Sequence, residues 1–108
     1  MDNDNGVNLE PNYIWEIQDW AKERGLDKSN NDKQLIKLQE ELGELAEAHN
    51  KDFPDKVVDS LGDMFVVMTI YALQRGIDID DCIEEAYNTI KDRKGKMVDG
   101  VFVKEEDL

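Results

Sequence analysis

The stretch Leu61-Gly62-Asp63-Met64-Phe65-Val66-Val67-Met68-Thr69-Ile70-Tyr71-Ala72-Leu73 is apolar around nearly its whole circumference when wound as a helix, yet it carries a carboxylate, Asp63. Such a helix is stable in water only when other surfaces cover most of its faces, so the rest of the chain must fold around it. A lone charge there is costly unless a cation, a hydrogen-bond network or a metal ion meets it. The expectation is therefore that Asp63 is at least partly buried. Most of the basic residues lie elsewhere in the sequence, and a divalent cation shared with a neighbouring helix is the economical partner.

At 108 residues the chain is expected to form one domain over residues 11–108, preceded by a flexible polar segment over residues 1–10. Its formal charge of −13, from 26 acids and 13 bases, disfavours nucleic-acid backbone and anionic membrane as partners. No apolar run is read as reaching the roughly 18–20 residues of a bilayer span, and Met1-Asp2-Asn3-Asp4-Asn5-Gly6 has neither a basic region nor an apolar core. These features predict a soluble, unexported, cytoplasmic protein. Cys82 has no partner for an intramolecular disulfide, which agrees with a reducing compartment, and it is read as a helix-packing residue.

Four helices are expected. The first enters at Pro11-Asn12, carries Tyr13, Ile14, Ile17, Trp20 and Ala21 at helical spacing, and closes at Arg24-Gly25. After a polar connection from Leu26 to Asp32, the second runs from about Lys33 to Lys51, with Leu35, Leu38, Leu42, Leu45 and His49 as one stripe. Glu41 then falls at the edge of that stripe and Glu44 one step further round. Asp52-Phe53-Pro54-Asp55 breaks the helix, so the third, about Asp55 to Arg75, returns antiparallel. Its near-continuous apolar surface predicts cover by a second subunit. The fourth, about Asp80 to Lys94, presents Ile83, Ala86, Tyr87 and Ile90, and Trp15, Trp20, Phe53, Phe65 and Tyr87 are read mainly as packing residues. Alternating β-branched and aromatic residues around Asp99-Gly100 predict a short hairpin or docking arm over about residues 95–108. The fold class is thus all-α: a four-helix bundle completed by oligomerisation, with a small C-terminal β-hairpin.

The acidic residues fall in pairs. Glu41 and Glu44 are i, i+3 neighbours, and Glu40 with Glu44 and Asp59 with Asp63 are i, i+4 neighbours, so each pair projects roughly one way although like charges repel there. Two antiparallel helices can gather four or five such groups around one pocket. That donor set suits Mg²⁺, with Mn²⁺ as a substitute, because hard ions prefer oxygen and keep waters that phosphate can replace. Gly43 and Gly62, each unfavourable in a helix interior, suggest close approach at the acidic positions. The Glu-x-x-His pairs of di-iron bundles are absent, since His49 lies five residues past Glu44.

Glu40-Glu41-Leu42-Gly43-Glu44-Leu45 resembles the Glu-Glu-x-x-Glu element of the MazG-like all-α nucleoside triphosphate pyrophosphohydrolases, and Asp59-Ser60-Leu61-Gly62-Asp63 resembles their second acidic element. The similarity runs from Lys33 to Phe102. The usual Glu-x-x-Asp pattern has glutamate where Ser60 stands, and here the extra carboxylate is Asp59, one residue earlier. The chain also looks like the short stand-alone versions carried by bacteriophages and their hosts. What the resemblance implies is hydrolysis of a nucleoside triphosphate, NTP or dNTP, to the monophosphate and pyrophosphate in nucleotide-pool control. It implies Mg²⁺ held by Glu41, Glu44 and Asp63, joined by Asp59 or Glu40, with Glu40 or Glu41 as general base. Asn88, Lys91, Arg93 and Lys94 form the densest basic cluster and are candidates to hold the phosphates, although such residues also complement a helix C-terminus. Trp20 is a candidate to stack on the base. Within the enzyme class a related helical pyrophosphohydrolase acting on a phosphoribosyl nucleotide is a further reading, and the contrasting expectation is a non-catalytic acidic helical oligomer that binds a protein partner or a nucleotide without cleaving it.

Overall fold

The computed structural model describes residues 11–108, and the expectation for residues 1–10 lies outside them. Asn12 starts helix α1 (Tyr13–Glu23) by accepting a hydrogen bond from the Trp15 amide at 3.1 Å, and Gly25, at φ +73°, takes the left-handed conformation that ends it. A short 3₁₀ turn, Leu26–Lys28, leads to Asn30. The Asn30 side chain accepts from the Lys33 amide at 2.9 Å, which is why α2 (Asn31–Asn50) begins two residues before the position read from hydrophobic spacing. At its far end Asp52 takes φ 55° and the Phe53 amide donates back to the Ala48 carbonyl at 2.9 Å, so the chain reverses into α3 (Pro54–Gln74) with proline in the first turn.

The α2–α3 hairpin is the centre of the molecule, but the face that α2 turns to α3 differs from the expected leucine stripe. Asn31, Gln34, Leu38, Glu41, Leu45 and Ala48 are the residues of α2 that are buried or half-buried, while Leu35, Leu42 and His49 are exposed. Both rows alternate steps of three and four and share Leu38 and Leu45. The polar members of the buried row are bonded across the hairpin: Asn31 Nδ2 donates to the Tyr71 carbonyl at 3.3 Å and to Gln74 Oε1 at 2.8 Å, and Gln34 Nε2 to the Val67 carbonyl at 3.2 Å. Those bonds offset the desolvation of the amides and set the register.

Helix α3 buries Ser60, Val67, Thr69, Ile70 and Ala72, and Thr69 satisfies its hydroxyl by donating to the Phe65 carbonyl at 2.8 Å. Contrary to the reading that no run is long enough, its length and apolarity do meet those of a membrane span. Part of that apolar surface packs against α1 and α2, and 28% of the span is buried within the single chain.

The last helix, α4 (Ile79–Ile90), is shorter than expected, ending before Lys91, and buries none of its residues. Ile83, Tyr87 and Ile90 are exposed, as are Cys82, Trp15, Trp20 and Phe53, so the packing expected of them is not made within one chain. The helix meets the body chiefly through α3, with Gln18 Nε2 of α1 donating to the Asp78 cap at 3.4 Å. The Cα radius of gyration is 17.9 Å, against about 13 Å for a compact chain of this size.

The hairpin is where it was expected: β1 (Gly95–Val98) pairs antiparallel with β2 (Val101–Lys104), Val98 opposite Val101. Asp99 and Gly100 take φ 51° and 81°, the positive values that a two-residue type I′ loop needs. A Cβ added to Gly95 would collide with the Val103 carbonyl and lie 2.7 Å from Cζ of Phe102. Gly95→Ala is expected to destabilise the ribbon by roughly 1–3 kcal/mol, seen as faster amide hydrogen exchange across β1 and β2 with α1–α3 unaffected.

Candidate functional site

The register that bonds Asn31 and Gln34 to the second half of α3 places Glu41 against the first half, around Ser60 and Asp63. Glu41 is 7% exposed, and its Oε2 has no hydrogen-bond partner. Burial, foremost, pushes its pKa above the ordinary 4.5; the charges of Glu44 and Asp63 push it the same way, as does a hydrogen bond with the Asp63 carboxyl, while Lys37 opposes them. The sequence reading placed Glu41 at the border of the core; it stands within it.

Asp63, expected to be at least partly buried, is exposed, because in a single chain nothing covers the outer side of α3 at that level. Glu44 is exposed too, and lines a cleft with Glu47, Ala48, Phe53, Lys56 and Ser60. Glu40 and Asp59 are exposed and are not among the charges acting on Glu41. Ser60, 5% exposed, occupies the inner position that Asp59 misses by one step of the helix. Gly43 and Gly62 do not mark a close approach: a Cβ at either meets nothing within 4 Å.

Glu44 and Asp63 therefore lie near enough to Glu41 for their charges to act on it, and Glu40 and Asp59 do not. Among the described residues, no three His, Cys, Asp or Glu side chains converge closely enough to hold a metal ion as they stand. The chemistry of the donors still suits a hard divalent cation. A buried carboxylate oxygen without a partner, pressed by two more carboxylates, is relieved by positive charge from outside the chain.

The basic candidates lie apart from the acids. Arg93 and Lys94 follow the end of α4 and line a cavity with Thr89, Lys104 and Glu105, where the Glu105 amide donates to the Lys94 carbonyl at 2.8 Å. Asn88 is on the last turn of α4 and Lys91 caps it, both exposed. Among the described residues, no hydrogen bond or ion pair joins this cluster to Glu41, Glu44 or Asp63. Trp20 lines an apolar groove with Glu16, Ile17 and Val66, and Val66 is one helical turn along α3 from Asp63. The sequence reading passes over Lys37, names Ser60 only as the place of a missing glutamate, and gives Val66 no role at the site. Lys37 was detectable, standing at i−4 from Glu41.

A family model described as phosphoribosyl-ATP pyrophosphohydrolase matches residues 15–90, which include every acidic residue of the group. Over 66 residues the chain is 50% identical to an uncharacterized 18.2 kDa protein from the rep-hol intergenic region of Haemophilus phage HP1 (strain HP1c1). That match takes in 60% of this chain but 40% of the phage protein, so the chain spans well under half the length of the relative it matches. No solved structure matches the chain.

Proposed function

The chain belongs to the phosphoribosyl-ATP pyrophosphohydrolase family, a part of the MazG-like all-α superfamily, and on that footing we propose that it hydrolyses a nucleoside triphosphate to the nucleoside monophosphate and pyrophosphate. Water adds across the bond between the α- and β-phosphates, and nucleotide-pool control in the cytoplasm is the setting. The observation that carries the reading is the buried Glu41 carboxylate, its Oε2 without a hydrogen-bond partner, beside Glu44 and Asp63.

Glu41, Glu44 and Asp63, joined by Asp59 or Glu40, would hold Mg²⁺, or Mn²⁺ in its place. When bound, the cation neutralises phosphate oxygens and lowers the pKa of a water. Glu41, whose pKa burial raises in the metal-free chain, and exposed Glu40 are the two candidates for the base that takes the proton of the attacking water. Asn88, Lys91, Arg93 and Lys94 bind the leaving phosphates. Because that cluster and the acids lie apart in one chain, a homo-oligomer, dimer or tetramer, assembles the site. The exposed row Ile83, Tyr87 and Ile90 is the surface that such an assembly would cover.

The test is a panel of NTPs, dNTPs and phosphoribosyl-ATP with Mg²⁺, read as pyrophosphate release. Glu44→Ala and Asp63→Ala should each lower turnover by about 10²-fold or more, and Mg²⁺ should raise the melting temperature. Phosphoribosyl-ATP is included because the family's description names it. A second reading, a non-catalytic acidic helical oligomer, draws on the lack of three converging ligands among the described residues. Silence across the panel together with a melting temperature indifferent to Mg²⁺ would decide for it.

A further inference from the structure

We propose that the groove between α1 and α3 lined by Ile17, Trp20 and Val66 is the nucleobase subsite of this chain, with Trp20 as its stacking platform and purines preferred over pyrimidines. The inference rests on the proposed nucleotide chemistry and adds where the base lies. Asp63 and Val66 are i, i+3 neighbours on one face of α3, about 4.5 Å apart along its axis, so the groove opens beside the acidic group rather than on a remote surface. Its cavity of ≈ 340 Å³ is bounded almost wholly by apolar surface, with Glu16 at its edge. An apolar slot next to carboxylates that would hold a divalent cation matches a molecule with a flat aromatic end and an anionic end that the cation would bind.

Trp20 is held for that role. It is 45% exposed, and the Arg24 guanidinium sits 4.3 Å from its ring centroid while donating to the Trp20 carbonyl at 3.0 Å. Arg24 does not line the groove, so the part of the indole turned to the groove is not the part beneath the guanidinium. Fixing the ring on one side lowers the entropy lost when a base stacks on the other. Stacking gains with overlap area, so a two-ring base is held more firmly than a one-ring base.

Trp15, exposed and absent from the groove, provides the means to isolate the signal. In a Trp15→Phe background the remaining indole is Trp20. Titration with AMP or GMP plus Mg²⁺ should quench its fluorescence, CMP or UMP should do so more weakly, and inorganic tripolyphosphate should leave it unchanged. With a substrate found by the panel, Trp20→Ala should raise KM by about tenfold, the scale of one stacked base, with kcat altered less than threefold, and Trp20→Phe should restore most of the affinity. Circular dichroism of Trp20→Ala checks that α1 still folds. Equal quenching by tripolyphosphate and AMP, no quenching by any nucleotide, or an unchanged KM in Trp20→Ala would each overturn the subsite. The fluorescence titration needs no turnover, so a protein that binds purine monophosphates through Trp20 without hydrolysing any triphosphate would defeat the enzyme assignment and leave the subsite standing.

Discussion

Glu41→Gln is expected to lower pyrophosphate release by about 10²–10⁴-fold, the range for loss of a positioned proton acceptor, and to make the metal-free protein more stable at pH 7–8. The two effects share one cause. Burial together with Glu44 and Asp63 raises the Glu41 pKa above 4.5 in the folded chain, so between that ordinary value and the raised one the folded state holds more protons than the unfolded state. Stability from this group is therefore full below pH 4.5, falls as pH rises through the window, and stays lost above the raised value. Glutamine keeps the size, carries no charge and can donate to Asp63. Thermal melts with EDTA from pH 4 to 8 should show the wild type losing stability across that window more steeply than Glu41→Gln. Turnover near wild type in the variant, with parallel melting curves, would remove Glu41 from the chemistry.

Charging the outer face of α4 has the other large consequence. On the proposed homo-oligomer, the double variant Ile83→Asp/Tyr87→Asp should run as a monomer by light scattering, and the proposed pyrophosphate release should disappear with it. Tyr87 is 60% exposed in the single chain and Ile83 47%. Each such side chain contributes roughly 1.5–3 kcal/mol when an interface covers it, and an aspartate there adds the cost of a desolvated charge. The helical circular dichroism of the monomer should stay close to wild type, because α4 buries none of its residues within its own chain. Mixing Glu41→Gln with Arg93→Ala, both with the α4 face intact, tests whether acids and bases of one site come from two copies. An unchanged mass for the double variant would show that the interface lies elsewhere.

Much of the fold could be read from local chemistry. Asn12 at the start of α1, Gly25 after its end, Pro54 at the start of α3 and Asp99-Gly100 in the hairpin each do what their backbone preferences dictate, because capping and turn formation involve only neighbouring residues. The acidic group was half legible. Spacing showed that Glu41, Glu44 and Asp63 could face one another; Glu44 and Asp63 lie near enough for their charges to raise the Glu41 pKa, yet the three do not converge as a set of metal ligands in the described residues. It did not show that Asp59 would stay outside while Ser60 turned inward, since residues one apart differ by 100° around the axis and the choice depends on how α3 is rotated.

The decisive ambiguity is on α2. Two interleaved rows, one running Leu35, Leu42, His49 and the other Gln34, Glu41, Ala48, have the same period, and hydrophobicity favours the first. Side-chain amides of Asn31 and Gln34 find carbonyl partners on α3, and that pairing turns the second row inward, carrying Glu41 with it. Periodicity and caps are properties of short segments, so the order and limits of the helices follow from the residues alone to within a turn. Rotation about a helix axis, and with it the burial of one carboxylate, is settled by contacts between residues more than thirty positions apart, which no local pattern encodes.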